Sequence, residues 1–267
     1  MRHFPTTGAN AVDALDGGGL EVATARPKDL DLHQQLIVFA REIGVLYSAE
    51  RLRTKELEAA LDQARQMYLA TMKSLAQVVE AKDPTTRGHL DRTAHYGLAL
   101  ARRVDPEMAA RPQTAYGFFL HDIGKVAIPE SILAKSGPLN DLEWIVMRSH
   151  PHVGAKIVEP IPFMGDAVEI VRSHHEHYDG SGYPRGLRGD DIPLGARIFA
   201  IADAFDAMTS DRPYRRALAL DEAIERIEAG AGTQFDPACA DAFADLAAED
   251  DGFLLARARP TPTFAAS

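Results

Sequence analysis

Phe118-Phe119-Leu120-His121-Asp122-Ile123-Gly124-Lys125 carries three large apolar side chains straight into an imidazole and a carboxylate, with an ammonium three residues further on. A helix that packs such an apolar end into a core brings the residues after it to the edge of that core. Ionisable groups placed there need partners. Neutral imidazole and ionised carboxylate are the usual ligands of zinc, iron, manganese and nickel, and one carboxylate can bridge two ions. A single His-Asp pair is more often hydrogen-bonded within a core than bound to a metal. The rest of the chain therefore decides its meaning.

Outward from that stretch, His89, His150, His174, His175 and Asp203 each fall at or beside the apolar face of a predicted helix. Met164, Ala167, Val168, Val171, His174 and His175 keep the three-and-four spacing of one helix face, so the two adjacent imidazoles continue an inward stripe. Pro193 opens a predicted helix in which Leu194, Ile198, Ile201, Phe205 and Met208 form an apolar face with Asp203 beside it. With His121 and Asp122, seven candidate donors from five segments converge, which favours a metal site over seven separately satisfied polar residues.

After Asp83-Pro84 the chain consists of helical segments punctuated by Gly and Pro, without a convincing run of alternating strand residues, so an all-α fold is expected. Asn140 followed by Glu143 predicts a capping box for a helix continuing through His150, and Asp236-Pro237 predicts an N-cap with Pro at the first helical position. Residues 1–30, with Gly17-Gly18-Gly19 and few large apolar side chains, read as a disordered arm. From Asp31 to Lys82 charged residues alternate with Leu36, Phe39, Ile43, Leu46, Leu57, Leu61, Tyr68 and Leu75. One helix of that length would extend about 75 Å. The spacing fits a two-stranded coiled coil with Glu50 and Arg53 on its seam, or two ordinary helices broken near Gly44.

Against 29 Lys+Arg stand 39 Asp+Glu, a net charge of −10 that argues against polymeric nucleic acid or an anionic membrane as partner. An anionic substrate must be met by local positive charge. The single Cys239 excludes an internal disulfide and a thiolate zinc site. Apolar runs are too short for a membrane span and the N-terminus has no basic segment followed by an apolar one, so a cytoplasmic location is expected.

Gly88-His89, His121-Asp122-Ile123-Gly124-Lys125, His150-Pro151, the string from His174 to Pro184 (HHEHYDGSGYP) and Ala202-Asp203 occur in the order of the HD-GYP domain, which this chain closely resembles. The likeness continues through Thr209–Arg215 and Gly232–Pro237, covering residues 70–248 after a helix over 31–69 and before a tail over 249–267. It implies an HD-GYP helical bundle that hydrolyses cyclic di-GMP by attack of a metal-bridging hydroxide on phosphorus. Carried over by position, it makes His89, His121, Asp122, His150, His174, His175 and Asp203 metal ligands, with Asp122 bridging. Lys125 joins Asp122 in catalysis, and Asp83, Lys125, Tyr183, Arg212 and Arg215 bind substrate. Tyr183 would offer its hydroxyl to phosphate or its ring to guanine.

Some family members hold a third ion through a Glu four residues before the first histidine ligand; Thr85 stands there, which implies two ions and the linear product pGpG. Glu80 is read as a solvated helix charge, and Asp206 as either orienting a ligand or capping locally. His95, His152 and His177 match no ligand position. Iron and manganese lead the expected metals, with zinc and nickel compatible. The competing readings are a low-turnover cyclic di-GMP or redox sensor on the same fold and a phosphodiesterase for another cyclic dinucleotide. The long helix suggests a parallel homodimer.

Overall fold

Gly and Pro punctuation cuts the chain into short helices, and the described residues contain no strand beyond an isolated bridge between Ala231 and Phe235. The structure, a computed structural model, describes residues 31–83, 88–211 and 216–249. The predicted arm, nearly all of the predicted tail, Thr85, Arg212 and Arg215 lie outside them. In chain order run α1 (Leu32–Glu80), α2 (His89–Val104), α3 (Pro106–Ala110), α4 (Pro112–Leu120), α5 (Glu130–Leu133), α6 (Asp141–Met147), α7 (His150–Val158), α8 (Asp166–Ser173), α9 (Leu194–Thr209), α10 (Leu220–Ala229) and α11 (Pro237–Glu249). The fold is all-α, with the long N-terminal helix expected. Helix α1 passes through Gly44 without interruption, so the two-helix alternative is set aside.

The chain divides into two units, Met1–Ala60 and Leu61–Ser267. Within the first, Leu36, Phe39, Ile43, Leu46 and Leu57 are exposed. Within the second, two apolar clusters form. Leu100, Phe118, Ile198, Phe199, Phe205 and Phe243 join α2, α4, α9 and α11. Met72, Ala76, Leu90, Leu120, Val158 and Val171 join the end of α1 to α2, α4, α7 and α8. Phe118, Phe199 and Phe205 are completely buried, each contributing about 1.5–3 kcal/mol relative to exposure. Helix α4 carries residues of both clusters, so its C-terminal end delivers His121 and Asp122 to the place where they meet.

Two helix starts follow the sequence closely. Asn140 and Glu143 exchange both bonds of a capping box at α6, and Asp236 Oδ1 accepts from the Ala238 amide at α11. The predicted helix through His150 is corrected: α6 stops at Met147 and α7 starts at His150. Pro151 is the cause. It has no N–H to give the Met147 carbonyl, and its ring would collide with that carbonyl in a continuous helix.

Candidate metal centre

The structure brings all seven predicted donors together in two groups. Asp122, His150, His174 and His175 form one, and His89, His121 and Asp203 the other, each with its ligand atoms within 4.8 Å of one another. Asp122 connects them, its Oδ1 lying 3.2 Å from His150 Nε2 and its Oδ2 3.2 Å from His121 Nε2. His95, His152 and His177 stand in neither group.

Three of the imidazoles are aimed by helix ends. The last carbonyls of a helix have no partner within it. His121 Nδ1 donates to Phe118 O (2.9 Å), His150 Nδ1 to Met147 O (2.8 Å) and His174 Nδ1 to Val171 O (2.8 Å). A carbonyl only accepts, so each Nδ1 carries a proton, and the neutral tautomer that this selects has its Nε2 lone pair facing the site. The consequence is visible at His150 and His174, whose Nε2 atoms face each other at 3.2 Å. Burial, reinforced by His175, His121 and His150, holds His174 well below the usual histidine range, so His174 itself brings no proton to this contact. Among the described residues, buried His121 Nε2 has no hydrogen-bond partner, although Asp122 lies near it. Opposed lone pairs and an orphaned ring nitrogen fit a pair of divalent ions.

His89 is aimed differently. Its Nδ1 donates to Asp206 Oδ2 (2.7 Å), while its Nε2 faces Asp203 Oδ1 at 3.3 Å. Asp206 is in turn fixed by Arg92, whose Nη2 donates to Oδ2 (3.1 Å) and whose Nε donates to Oδ1. Of the two roles considered for Asp206, the contact observed is the one to the His89 ring, a carboxylate–histidine arrangement that fixes the ring and makes its other nitrogen more basic. Burial opposes a charge on His89, but Asp203 and Asp206 outweigh it and push its pKa up to about 10.

Lys125 Nζ donates to Asp83 Oδ2 (3.0 Å) and lies 2.8 Å from Asp122 Oδ2. Burial disfavours its charge, yet Asp122 and Asp83 hold it well above the usual lysine range. Burial likewise opposes ionisation of Asp122, but Lys125 and His121 hold its carboxylate well below its ordinary value. Gly124 explains the closeness of this turn to α7: a Cβ there would stand 2.0 Å from His150 O.

The family model described as HD domain matches residues 73–239. Over 256 residues the chain is 35% identical to the cyclic di-GMP phosphodiesterase response regulator RpfG of Xanthomonas campestris pv. campestris, covering 92% of this chain and 68% of that protein. The chain belongs to the HD-GYP family. It is also 33% identical to the 3′3′-cGAMP-specific phosphodiesterase 3 of Vibrio cholerae, over 80% of this chain and 47% of that one. Like that case, several curated relatives extend to about twice the length this chain spans. The crystal structure of a cyclic GMP-AMP specific phosphodiesterase of V. cholerae (V-cGAP3) superposes with a TM-score of 0.52 at 21% identity, covering 69% of this chain and 50% of that one, a likeness of fold.

The HD-GYP loop that follows His174-His175 is pinned by a buried carboxylate to which sequence alone assigns no role. Glu176 accepts the Arg185 amide on Oε1 (2.7 Å) and the Leu187 amide on Oε2 (3.0 Å). Gly182 does not take positive φ, as Gly180 does at +83°. Its actual requirement is space, since a Cβ would stand 2.2 Å from the His177 amide nitrogen. The loop so held sets the Tyr183 ring 4.8 Å from that of His175. Burial, with Asp122 and Asp203, pushes the Tyr183 pKa up, so its hydroxyl keeps its proton and can donate. Asp83, Lys125 and Tyr183 line one cavity together with His89, Asp122, His150, His175 and Asp203. Arg212 and Arg215 fall outside the described residues. The reading of Glu80 is corrected: half-buried, it accepts the Leu90 amide on Oε1 (3.1 Å) and caps α2.

Proposed function

We propose that this HD-GYP chain is a metal-dependent phosphodiesterase that hydrolyses cyclic di-GMP to pGpG within a catalytic domain over residues 70–248. One observation carries the reading: Asp122 reaches both groups of ligand-type atoms, and members of both groups line a cavity that also presents Lys125 and Tyr183. The proposed ligands are His89, His121, Asp122, His150, His174, His175 and Asp203, holding two divalent transition ions, iron or manganese first. Such ions, when bound, acidify a coordinated water and neutralise charge on a phosphate.

The chain's own groups do the rest. The carbonyls of Phe118, Met147 and Val171 keep three rings in the lone-pair-inward tautomer. Lys125, charged at neutral pH, donates to a phosphate oxygen on which negative charge grows and cannot act as a base. Tyr183 donates its hydroxyl to the same phosphate or packs its ring on guanine. Arg212 and Arg215 are proposed to supply guanidinium contacts to substrate, offsetting the net charge of −10. Thr85 in place of a carboxylate supports two ions, and with them cleavage that stops at the linear product.

Relatives named for 3′3′-cGAMP support a second reading, in which the mixed cyclic dinucleotide is the substrate. Manganese- or iron-loaded protein should convert cyclic di-GMP to pGpG on chromatography, and chelation should stop it. Faster turnover of 3′3′-cGAMP would select the second reading. Tight binding without product would select the sensor. Among the described residues no helix is long and apolar enough to cross a membrane, in keeping with the proposed cytoplasmic location. The exposed apolar residues of α1 support a parallel homodimer; a monomer by light scattering at micromolar concentration would sink that proposal.

A further inference from the structure

The cavity above the ligand groups has an outer lobe that none of the assigned residues explains. Ile132, Leu133, Pro138, Leu139, Trp144 and Met147 line it, and the same cavity reaches Asp122, His150, His175 and Asp203 without interruption. Its wall is firmly built. The Asn140–Glu143 capping box fixes the start of α6, and Glu143 also pairs with Lys135 across the loop that precedes it. Trp144 projects from α6 with 42% of its surface exposed, a large aromatic left open where burial would be favourable.

A row of flat groups leads from this lobe to the ligands. The Arg148 guanidinium stands 5.6 Å from the Trp144 ring centre and 5.5 Å from that of Tyr183, and Tyr183 stands 4.8 Å from His175. Arg148 thereby ties the Trp144 wall to the Gly-Tyr-Pro loop through cation–π contacts. Resting on the cyclic dinucleotide reading above, we propose that this lobe is a base subsite: a purine of the substrate stacks on Trp144 while a phosphate of the same nucleotide lies over the ligand groups. Apolar walls and an aromatic platform suit a purine face, and stacking tolerates guanine and adenine alike because each presents a π-face. A net-acidic protein gains affinity this way without adding cations. Arg148 acts as a positioning residue that holds the ring.

Trp144 is the chain's sole tryptophan, so its emission reports the stack directly. In stopped-flow mixing of the manganese-loaded full chain with cyclic di-GMP, 3′3′-cGAMP or GMP, saturable quenching of that emission is expected before any product forms. Trp144→Ala should raise KM and the calorimetric Kd for cyclic di-GMP at least about fivefold with kcat little changed, and Trp144→Phe should recover most of the loss. Ile145→Ala, at a neighbouring exposed position outside the cavity lining, should leave Kd unchanged. Turnover without quenching, with an unaltered KM in Trp144→Ala, would overturn the subsite and leave the phosphodiesterase reading standing. Quenching by nucleotides without turnover would keep the subsite and sink that reading, while the absence of both would sink the two together.

Discussion

The four-residue and three-residue groups of the proposed metal centre offer the same ligand chemistry and orient it by different means. In the first, His150 and His174 are turned by carbonyls three residues earlier in the chain, and burial keeps His174 and His175 neutral, His175 with a pKa of about 3. In the second, His89 is turned by Asp206, 117 residues away, and the neighbouring carboxylates give it a pKa of about 10. His121 belongs to the second group but takes its orientation from a local carbonyl, as in the first. A cation entering the four-residue group displaces no proton from His174 or His175. One entering the three-residue group must displace a proton from His89.

Asp122 is where the comparison is most open to being broken. Because it reaches both groups, Asp122→Ala should strip both equivalents of metal and lower turnover at least about a thousandfold, roughly 4 kcal/mol. One full equivalent remaining by elemental analysis would show the groups to be independent. Lys125→Ala should leave both equivalents in place and lower kcat by about a hundredfold, the scale of losing one donor to a developing oxyanion. Metal lost along with turnover would instead make Lys125 a support for Asp122.

Asp206→Asn separates the groups. It should weaken one of the two metal equivalents by about ten- to a hundredfold in a chelator competition and spare the other. Equal weakening of both would erase the distinction. Taken per unit, the smallest effect is that of pH. His89 has its folded pKa raised, so apoprotein is protonated there at neutral pH, and affinity at the three-residue group should rise by up to about tenfold per unit as pH climbs toward 10. The four-residue group, with His174 and His175 already neutral, should stay nearly flat over the same range.

How far the sequence could be read follows from how local each cause is. Helix periodicity placed His89, His150, His174, His175 and Asp203 at or beside inward faces, and Phe118-Phe119-Leu120 announced the buried helix end before His121 and Asp122. Pro151 four residues after Met147 carried the cue for the break between α6 and α7, yet the capping box at Asn140 suggested a longer helix. Glu80 was misread because a continuous helix was assumed, whereas α1 ends at Glu80 and α2 starts at His89, bringing the Leu90 amide within reach of its carboxylate. Glu176 went without a role because its partners, the Arg185 and Leu187 amides, lie nine and eleven residues on, across a loop whose path no periodicity describes. Trp144 and Arg148 carried no sequence signal tying them to Tyr183.

By itself the sequence determined the all-α class, the family and the inventory of donors, and it sets the carbonyls that aim three rings three residues before His121, His150 and His174. Those causes act within one helical turn, so residue type and spacing contain them. Only the tertiary structure decided that Asp206 and Arg92 set His89, that Asp122 touches both groups, and that Trp144 shares a cavity with the ligands. Each of these depends on segments distant in the chain being packed side by side, and that juxtaposition is fixed by the two apolar clusters meeting along α4 rather than by any short run of residues.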